Sequence, residues 1–134
     1  MIFLDSSYLI SLKLENDENH DRAVHLMKEI TIGEYGSLTI SDYIFDEVVT
    51  ILFAKGKKLS LAIDAGEEIM QFIRIYKVDE EIFQRTWKIF KEQKSTKFSF
   101  TDCSIIAIMK KEGIKNIATF DEDFRKVEGI SVID

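Results

Sequence analysis

The 134-residue chain contains a single cysteine, Cys103, and no long apolar run. One cysteine excludes an internal disulfide and a cysteine-based metal knuckle, so Cys103 is expected to be a small core residue. No segment is apolar for the roughly 18 residues that a membrane span needs. The start of the chain also lacks the basic region and cleavage site of a signal peptide. The sequence therefore predicts a protein without a membrane partner that stays in the cytoplasm.

Two further absences concern nucleotides and nucleic acids. The chain has no G-x-G-x-x-G and no G-K-[ST] sequence, so nothing local supports a nucleotide-binding loop. Its net charge of −6 argues against a protein that coats nucleic acids through clustered Lys and Arg. A nuclease is still allowed, because an acidic active site contributes negative charge itself. Local lysines such as Lys91, Lys94 and Lys97 would then guide a strand to the site.

The length and the 46 % hydrophobic share predict one folded domain over residues 1–134. Short apolar runs predict strands over residues 2–5, 37–40, 73–78, 116–120 and 130–133. Amphipathic stretches predict helices over residues 8–16, 20–31, 41–54, 59–72, 79–93 and 101–112. Strands separated by helices indicate an α/β fold with a mostly parallel sheet covered on both faces.

Two helices carry specific expectations. The helix over residues 79–93 is expected to turn Ile82, Phe83, Trp87 and Phe90 inward, since these apolar residues recur at helical spacing. The helix over residues 101–112 is expected to end at Gly113, a favourable C-cap. Ligands of such open sheets bind beyond the carboxyl ends of the strands, which directs attention to the residues that follow each strand.

Four carboxylates are the most informative residues, because the predicted topology brings them together. They are Asp5, Glu47, Asp102 and Asp121. Two carboxylates about 4 Å apart repel each other by roughly 4 kcal/mol at an effective dielectric constant near 20, so four of them need cations. Two Mg²⁺ ions about 3.5 to 4 Å apart can activate water and stabilise the leaving oxygen of a phosphate ester. The four acids therefore predict a Mg²⁺ or Mn²⁺ site that cuts phosphodiesters.

Two of these acids also have purely structural interpretations. Asp5 would be the N-cap of the next helix, unless Ser6 or Ser7 takes that place and leaves Asp5 free. Asp102 lies in the first turn of an apolar helix, where a negative charge interacts favourably with the helix dipole. Both interpretations are compatible with binding a metal ion, because backbone amides that favour the anion also fix its direction.

Glu47 is preferred to its neighbour Asp46 as the third acid. The helix around Glu47 is apolar almost all round, and a carboxylate on such a face must be paired or bound to metal. Asp46 lies about 100° away around the helix and suits a polar edge.

The acidic run Asp121, Glu122 and Asp123 is expected to form a turn between two strands. Asp121 is nearest to the strand end and Glu122 is expected to face water. Asp123 is either an auxiliary ligand acting through water or a helix cap. His20 and His25 have no partner at zinc-ligand spacing and are expected to be surface residues.

Segments from the whole length of the chain resemble the PIN-domain family: MIFLDSSYLI, SDYIFDEVVTILFA, FSFTDCSIIAIMKKEG and IATFDEDFRKVEGISVI. The resemblance implies a three-layer α/β/α sandwich around a short parallel sheet. It matches the family's acidic quartet to the four acids named above. It also matches Thr119 and Ser6 to polar positions that often line the site, and Asp123 to a frequent extra acid.

The resemblance further implies a ribonuclease that depends on Mg²⁺ or Mn²⁺, of the kind found as VapC-type toxins, which pair with an antitoxin and form homodimers. The alternatives are a PIN nuclease in RNA processing and a non-catalytic PIN-like module that binds RNA or protein. Loss of one acid would favour the non-catalytic module, but all four are present. A haloacid-dehalogenase-like phosphatase would need a second acid two residues after the first, where Ser7 stands.

Overall fold

The computed structural model describes residues 1–134 and contains one five-stranded sheet, six α-helices and one 3₁₀ helix. The strands are β1 (Ile2–Leu4), β2 (Leu38–Ser41), β3 (Arg74–Tyr76), β4 (Asn116–Ala118) and β5 (Ser131–Ile133). The helices are α1 (Ser6–Lys13), α2 (His20–Thr31), α3 (Asp42–Gly56), α4 (Leu59–Phe72), α5 (Glu80–Lys91) and α6 (Phe100–Glu112), and the 3₁₀ helix spans Glu122–Lys126.

The sheet is parallel throughout, with the strand order β3-β2-β1-β4-β5. Phe3 in the central strand β1 lies opposite Thr39 of β2 on one side and Ile117 of β4 on the other. All three residues of β1 are fully buried, as expected for a strand covered on both faces. The predicted short parallel sheet flanked by helices is confirmed.

The strand order reverses direction at β1, because the chain moves from β1 towards β2 and β3 and later returns to β4 on the other side. Such a switch point leaves a crevice at the carboxyl ends of β1 and β4, where open α/β sheets bind ligands. Asp5 follows β1 directly, and the segment Thr119 to Asp121 follows β4. The topology therefore brings two of the four predicted acids to the same edge of the sheet.

The buried apolar residues form one cluster that contains Cys103, so the prediction of a core cysteine is confirmed. No helix has the length and apolar character required to cross a membrane. Gly113 ends α6 in the left-handed region at φ 69°, as its C-cap position predicts.

Two local features differ from the sequence-based expectations. The first helix begins at Ser6 rather than residue 8 because the Asp5 side chain caps it. The acidic run after β4 is a short 3₁₀ helix rather than a simple turn, with the Asp121 side chain accepting from the Asp123 backbone N–H.

The prediction for α5 is wrong for its aromatic residues. Ile82 is buried as expected, but the exposed fractions of Phe83, Trp87 and Phe90 are 43 %, 45 % and 37 %. The inward stripe instead continues to Thr86, whose hydroxyl donates to the Ile82 carbonyl at 2.6 Å. That bond satisfies the buried hydroxyl within the helix, so a polar residue can occupy the core side. The aromatic stripe is left facing outward.

Candidate metal centre

Asp5 is a buried carboxylate held by three donors where β1 meets α1. Its Oδ1 accepts from the Ser6 backbone N–H at 2.8 Å. Its Oδ2 accepts from Thr119 Oγ1 at 2.7 Å and from Ser7 Oγ at 3.0 Å. The side chain is only 3 % exposed. Asp5 is therefore the N-cap of α1, a position for which the sequence also allowed Ser6 or Ser7. Donors near both ends of the sequence fix the direction of its carboxylate.

Thr119 links Asp5 to Asp121. Its buried hydroxyl donates to Asp5 and accepts from the Asp121 backbone N–H at 3.0 Å. Because β4 pairs directly with β1, this one side chain sets the spacing between the two segments that follow the strands. The Asp121 carboxylate in turn caps the 3₁₀ helix.

Ser6 links Asp5 to Glu47. Its backbone N–H donates to Asp5, and its hydroxyl donates to Glu47 Oε1 at 2.9 Å across from α3. Asp46 is exposed and receives only a long contact from Thr50 Oγ1 at 3.4 Å. The choice of Glu47 over Asp46 is thus supported by the contact that Glu47 makes.

Asp102 is fixed at the start of α6 by a capping box with Ser99. The Ser99 backbone N–H donates to Asp102 Oδ2 at 3.0 Å, and the Asp102 N–H donates to Ser99 Oγ at 3.1 Å. This reciprocal arrangement satisfies two backbone donors at the helix start. It leaves the other carboxylate oxygen, Oδ1, without a hydrogen bond from the capping serine.

The electrostatics show that the acids share one environment. Burial and, to a lesser extent, the charge of Asp102 raise the pKa of Asp5 from its usual 3.8 to about 6, and the hydrogen bonds that Asp5 accepts oppose this shift. Burial also raises the pKa of Asp102, with additional contributions from the charges of Asp121 and Glu47. The mutual repulsion makes a cation favourable at this position.

The residues fit a hard divalent cation in their chemistry. Carboxylate oxygens are the ligands that Mg²⁺ and Mn²⁺ prefer, and the buried Asp5 carboxylate has no cationic side chain among its partners. No group of three or more His, Cys, Asp or Glu side chains is close enough to hold an ion in the present side-chain arrangement. Binding would therefore require rotation of the outer acids, and the buried Asp5 would stay fixed.

Asp123 is placed at the rim and already has a partner. Its carboxylate lies 2.8 Å from Lys126 Nζ, and this contact lowers the pKa of Asp123 with a further contribution from Lys97. Its role as an auxiliary ligand stays a prediction. The histidines lie apart, with His20 bonded to the Ser11 carbonyl and His25 exposed beside Glu29.

Ser7 is a further functional candidate, which the sequence alone does not identify as part of the acidic site. Its hydroxyl donates to Asp5 Oδ2 and accepts from the Phe120 backbone N–H at 3.2 Å. It therefore connects the acid to the segment after β4, as Thr119 does. The pairing of β1 with β4 is the signal that would have identified it, and one sequence does not reveal that pairing.

Replacing Ser7 with alanine is expected to slow any metal-dependent activity of the site by about 10- to 100-fold, the usual effect of removing a group that orients a ligand. The change also leaves the Phe120 N–H without its partner, at a cost of about 1–3 kcal/mol in the free energy of unfolding. Ser11→Ala is a matched control, since Ser11 is buried on the same helix away from the acids. Turnover and urea unfolding measure both effects. Equal loss of turnover in both variants would contradict a positioning role for Ser7.

Comparison with known proteins identifies relatives of the chain by sequence. Residues 2–130 match the profile of the PIN domain family. The chain is also 25 % identical over 124 residues to the 23S rRNA-specific endonuclease VapC20 of Mycobacterium tuberculosis, with 92 % of each protein covered.

Solved structures agree with the fold. The crystal structure of Mycobacterium tuberculosis VapC20, a sarcin-ricin loop cleaving toxin, matches with a TM-score of 0.85 and 24 % identity over 94 % of both chains. VapBC2 from Rickettsia felis, bound to a promoter DNA fragment, matches with a TM-score of 0.71 and 14 % identity over 99 % of this chain and 98 % of that one.

A toxin-antitoxin complex from Klebsiella pneumoniae gives a TM-score of 0.67 and 18 % identity over 100 % of this chain and 97 % of that one. These likenesses concern the fold, and they confirm the α/β/α sandwich that the sequence resemblance implied. Because the family profile covers nearly the whole sequence, the chain belongs to the PIN domain family.

Proposed function

We propose that the protein is a metal-dependent endoribonuclease and the toxin of a VapBC-type toxin-antitoxin pair. The observation that carries this proposal is the proximity of the four acids. Ser6 links Asp5 to Glu47, and Thr119 links Asp5 to the backbone N–H of Asp121. Asp102 lies near enough for its charge to raise the pKa of Asp5. The sequence likeness to an rRNA-specific endonuclease of the VapC class supports RNA as the substrate. We take residues 1–134 as one PIN domain acting in the cytoplasm, where such RNA is present.

PIN nucleases generally use divalent metal ions, and we assign Mg²⁺ or Mn²⁺ to this site. Asp5, Glu47 and Asp102 are the residues that would hold one ion, directly or through water, and Asp121 would complete the cage or hold a weaker second ion. Bound there, such ions activate water and stabilise the charge that develops on a phosphate. The protein's own contribution is to keep Asp5 oriented through Ser7 and Thr119.

No side chain is assigned as a covalent nucleophile. Cys103 is buried in the core, and the hydroxyls of Ser6, Ser7 and Thr119 donate to carboxylates of the site. Water is therefore the attacking group. The expected products are a 5′-phosphate and a 3′-hydroxyl.

The proposed protein partners are a cognate antitoxin and a second copy of the chain. Apolar side chains on and beside α3 and α4 are about half exposed, among them Phe53, Leu59, Ile63 and Met70. Exposed apolar patches of this kind usually mark protein interfaces. One of the similar structures is a toxin-antitoxin complex and another is VapBC2 bound to promoter DNA, which supports an antitoxin as one of these partners.

Two other functions remain as alternatives: RNA processing by a PIN nuclease without an antitoxin, and non-catalytic binding of RNA or protein. A small antitoxin-like reading frame immediately upstream of this gene would favour the toxin over the processing enzyme. Metal-dependent cleavage by the purified protein would eliminate the non-catalytic module.

The decisive variant is Glu47→Gln, which is expected to abolish cleavage of single-stranded RNA in Mn²⁺ and to reduce the rise in melting temperature that Mn²⁺ causes. Glu47 loses its charge but keeps its shape, so the fold should be retained. Asp46→Asn should keep the full thermal response to Mn²⁺, because Asp46 is outside the cage.

Glu18→Gln serves as the activity control, since Glu18 is exposed in the loop between α1 and α2. Loss of the thermal response in Asp46→Asn, with retention in Glu47→Gln, would reverse the assignment. Absence of Mn²⁺-dependent cleavage by the wild-type protein would remove the proposed activity itself.

A further inference from the structure

The outward aromatic stripe of α5 has no role in the core or in the acidic site. Phe83 and Trp87 keep more than two-fifths of their surface exposed, and the Phe90 ring stacks on Trp87 with the centroids 5.8 Å apart and an interplanar angle of 14°. Exposed aromatic surface on this scale usually serves recognition. The position of the stripe in the fold indicates which class of ligand it could bind.

Phe83 and Trp87 of this stripe line a cavity of about 1030 Å³ between α3, α5 and the start of α6. The rings around it are in mutual contact. Phe100 lies 5.2 Å from Phe83 and 6.3 Å from Tyr43, centroid to centroid. Together with Trp87, these aromatic side chains line the cavity. A planar aromatic ligand fits such a space better than a branched aliphatic one.

The cavity is continuous with the proposed metal centre. Glu47 lines it and also accepts from Ser6 beside Asp5. Thr101, another lining residue, immediately precedes Asp102. A polymer that binds with one of its phosphates at the acids would therefore place the unit next to that phosphate at the mouth of this cavity.

The charges exclude a phosphate inside the cavity. No Lys or Arg lines it, whereas Asp46 and Glu47 do. An anion would be repelled there, but a neutral ring with N–H groups would find carboxylate acceptors. Lys91 stands at the outer edge, with its Nζ 5.7 Å from the centroid of the Trp87 ring. An aromatic lining that includes carboxylate acceptors, with a cation at its margin, suits a base inside the cavity and its phosphate outside.

We propose that this aromatic cavity, lined by Tyr43, Phe83, Trp87 and Phe100, binds an unpaired nucleobase of the RNA whose phosphate lies at the acids. The inference rests on the proposed ribonuclease function and specifies its substrate: RNA with a base displaced from pairing next to the cleaved bond. Sequence-specific RNA recognition commonly uses such splayed bases stacked on aromatic side chains. A base inside a regular duplex could not enter the cavity.

Trp87 is the only tryptophan in the chain, so its fluorescence reports on this cavity alone. The wild-type protein is titrated in Ca²⁺ with a short single-stranded oligoadenylate and with an abasic ribose-phosphate chain of the same length. Stacking predicts that the oligoadenylate quenches Trp87 and that the abasic chain leaves its emission unchanged. Equal effects of the two ligands, or binding of oligoadenylate with unchanged emission, would overturn the proposal.

Substitution of Trp87 provides a second test of the proposal. Trp87→Ala should weaken RNA binding by about 5- to 150-fold, the range for loss of one stacked base, and should act mainly on KM. Trp87→Phe keeps a ring and should recover much of the affinity. Phe72→Ala is a control, because Phe72 is an exposed aromatic residue on α4 outside the cavity.

The outcomes separate this proposal from the function on which it rests. If the wild type cleaves RNA and Trp87→Ala does so with unchanged KM and kcat, the base pocket is wrong and the ribonuclease stands. If the wild type neither binds nor cleaves RNA, both fail. A third outcome has two parts: the wild type is a dimer that Trp87→Ala separates in sedimentation experiments, and the Trp87 emission of the wild type changes on dilution but not with RNA. In that case a second copy covers the cavity, and the proposal is overturned.

Discussion

Replacing Asp5 with asparagine is expected to reduce metal-dependent RNA cleavage by more than about 100-fold. The reason is that Asp5 is the one acid whose position is fixed from three sides, by Ser6, Ser7 and Thr119. Groups that merely orient a ligand change activity by about 10- to 100-fold, so the loss of a ligand charge should exceed that range. The amide removes the negative charge but retains the shape.

Single-turnover cleavage of a labelled RNA in Mn²⁺ measures this effect. Asp64→Asn is the matched control, because Asp64 is exposed on α4 and undergoes the same chemical change. Circular dichroism should show both variants folded. Cleavage by Asp5→Asn within tenfold of the wild type would contradict the assignment of Asp5 as the central ligand.

The second expected result is a gain in metal-free stability from the same substitution at neutral pH. Burial raises the pKa of Asp5 from 3.8 to about 6, so between these two values the folded protein binds more protons than the unfolded chain. The free energy of unfolding must then fall as the pH rises through this window. The shift corresponds to about 3 kcal/mol, fully lost once the pH exceeds the folded-state pKa.

Asp5→Asn has no carboxyl group to titrate, so its stability should lack this decrease between about pH 4 and pH 6.5. Urea unfolding in EDTA across that range gives the comparison, with Asp64→Asn expected to follow the wild-type profile. Mn²⁺ at pH 7 should restore stability to the wild type, by about 2.7 kcal/mol at 100 times its Kd, and should have little effect on Asp5→Asn. Parallel pH profiles for Asp5→Asn and the wild type would show that Asp5 carries no buried-charge penalty.

The sequence predicted the strands, the helices and the general position of the acids, because these depend on local patterns. An apolar run followed by an acid, as at Asp5, puts a carboxylate at a strand end regardless of what lies beside it. The preference for Glu47 over Asp46 also rests on a local property, the difference of about 100° around one helix, and it stays a prediction.

The contacts between distant segments could not be predicted in this way. Thr119 and Ser7 join the two ends of the chain, and their bonds depend on β1 lying beside β4. The prediction of which face of α5 packs on the core was wrong for a different reason. Its apolar residues form two adjacent stripes, one through Ile82 and one through Phe83, and periodicity alone does not say which faces the core.

The central position of β1 has a consequence for the order in which the protein can become active during synthesis. The first strand leaves the ribosome well before its partner β4, because Thr119 follows Asp5 by 114 residues. Until they arrive, one edge of β1 is unpaired and Asp5 lacks its strongest donor. A nascent chain with this architecture therefore cannot complete its acidic site until β4 has been translated and has paired with β1.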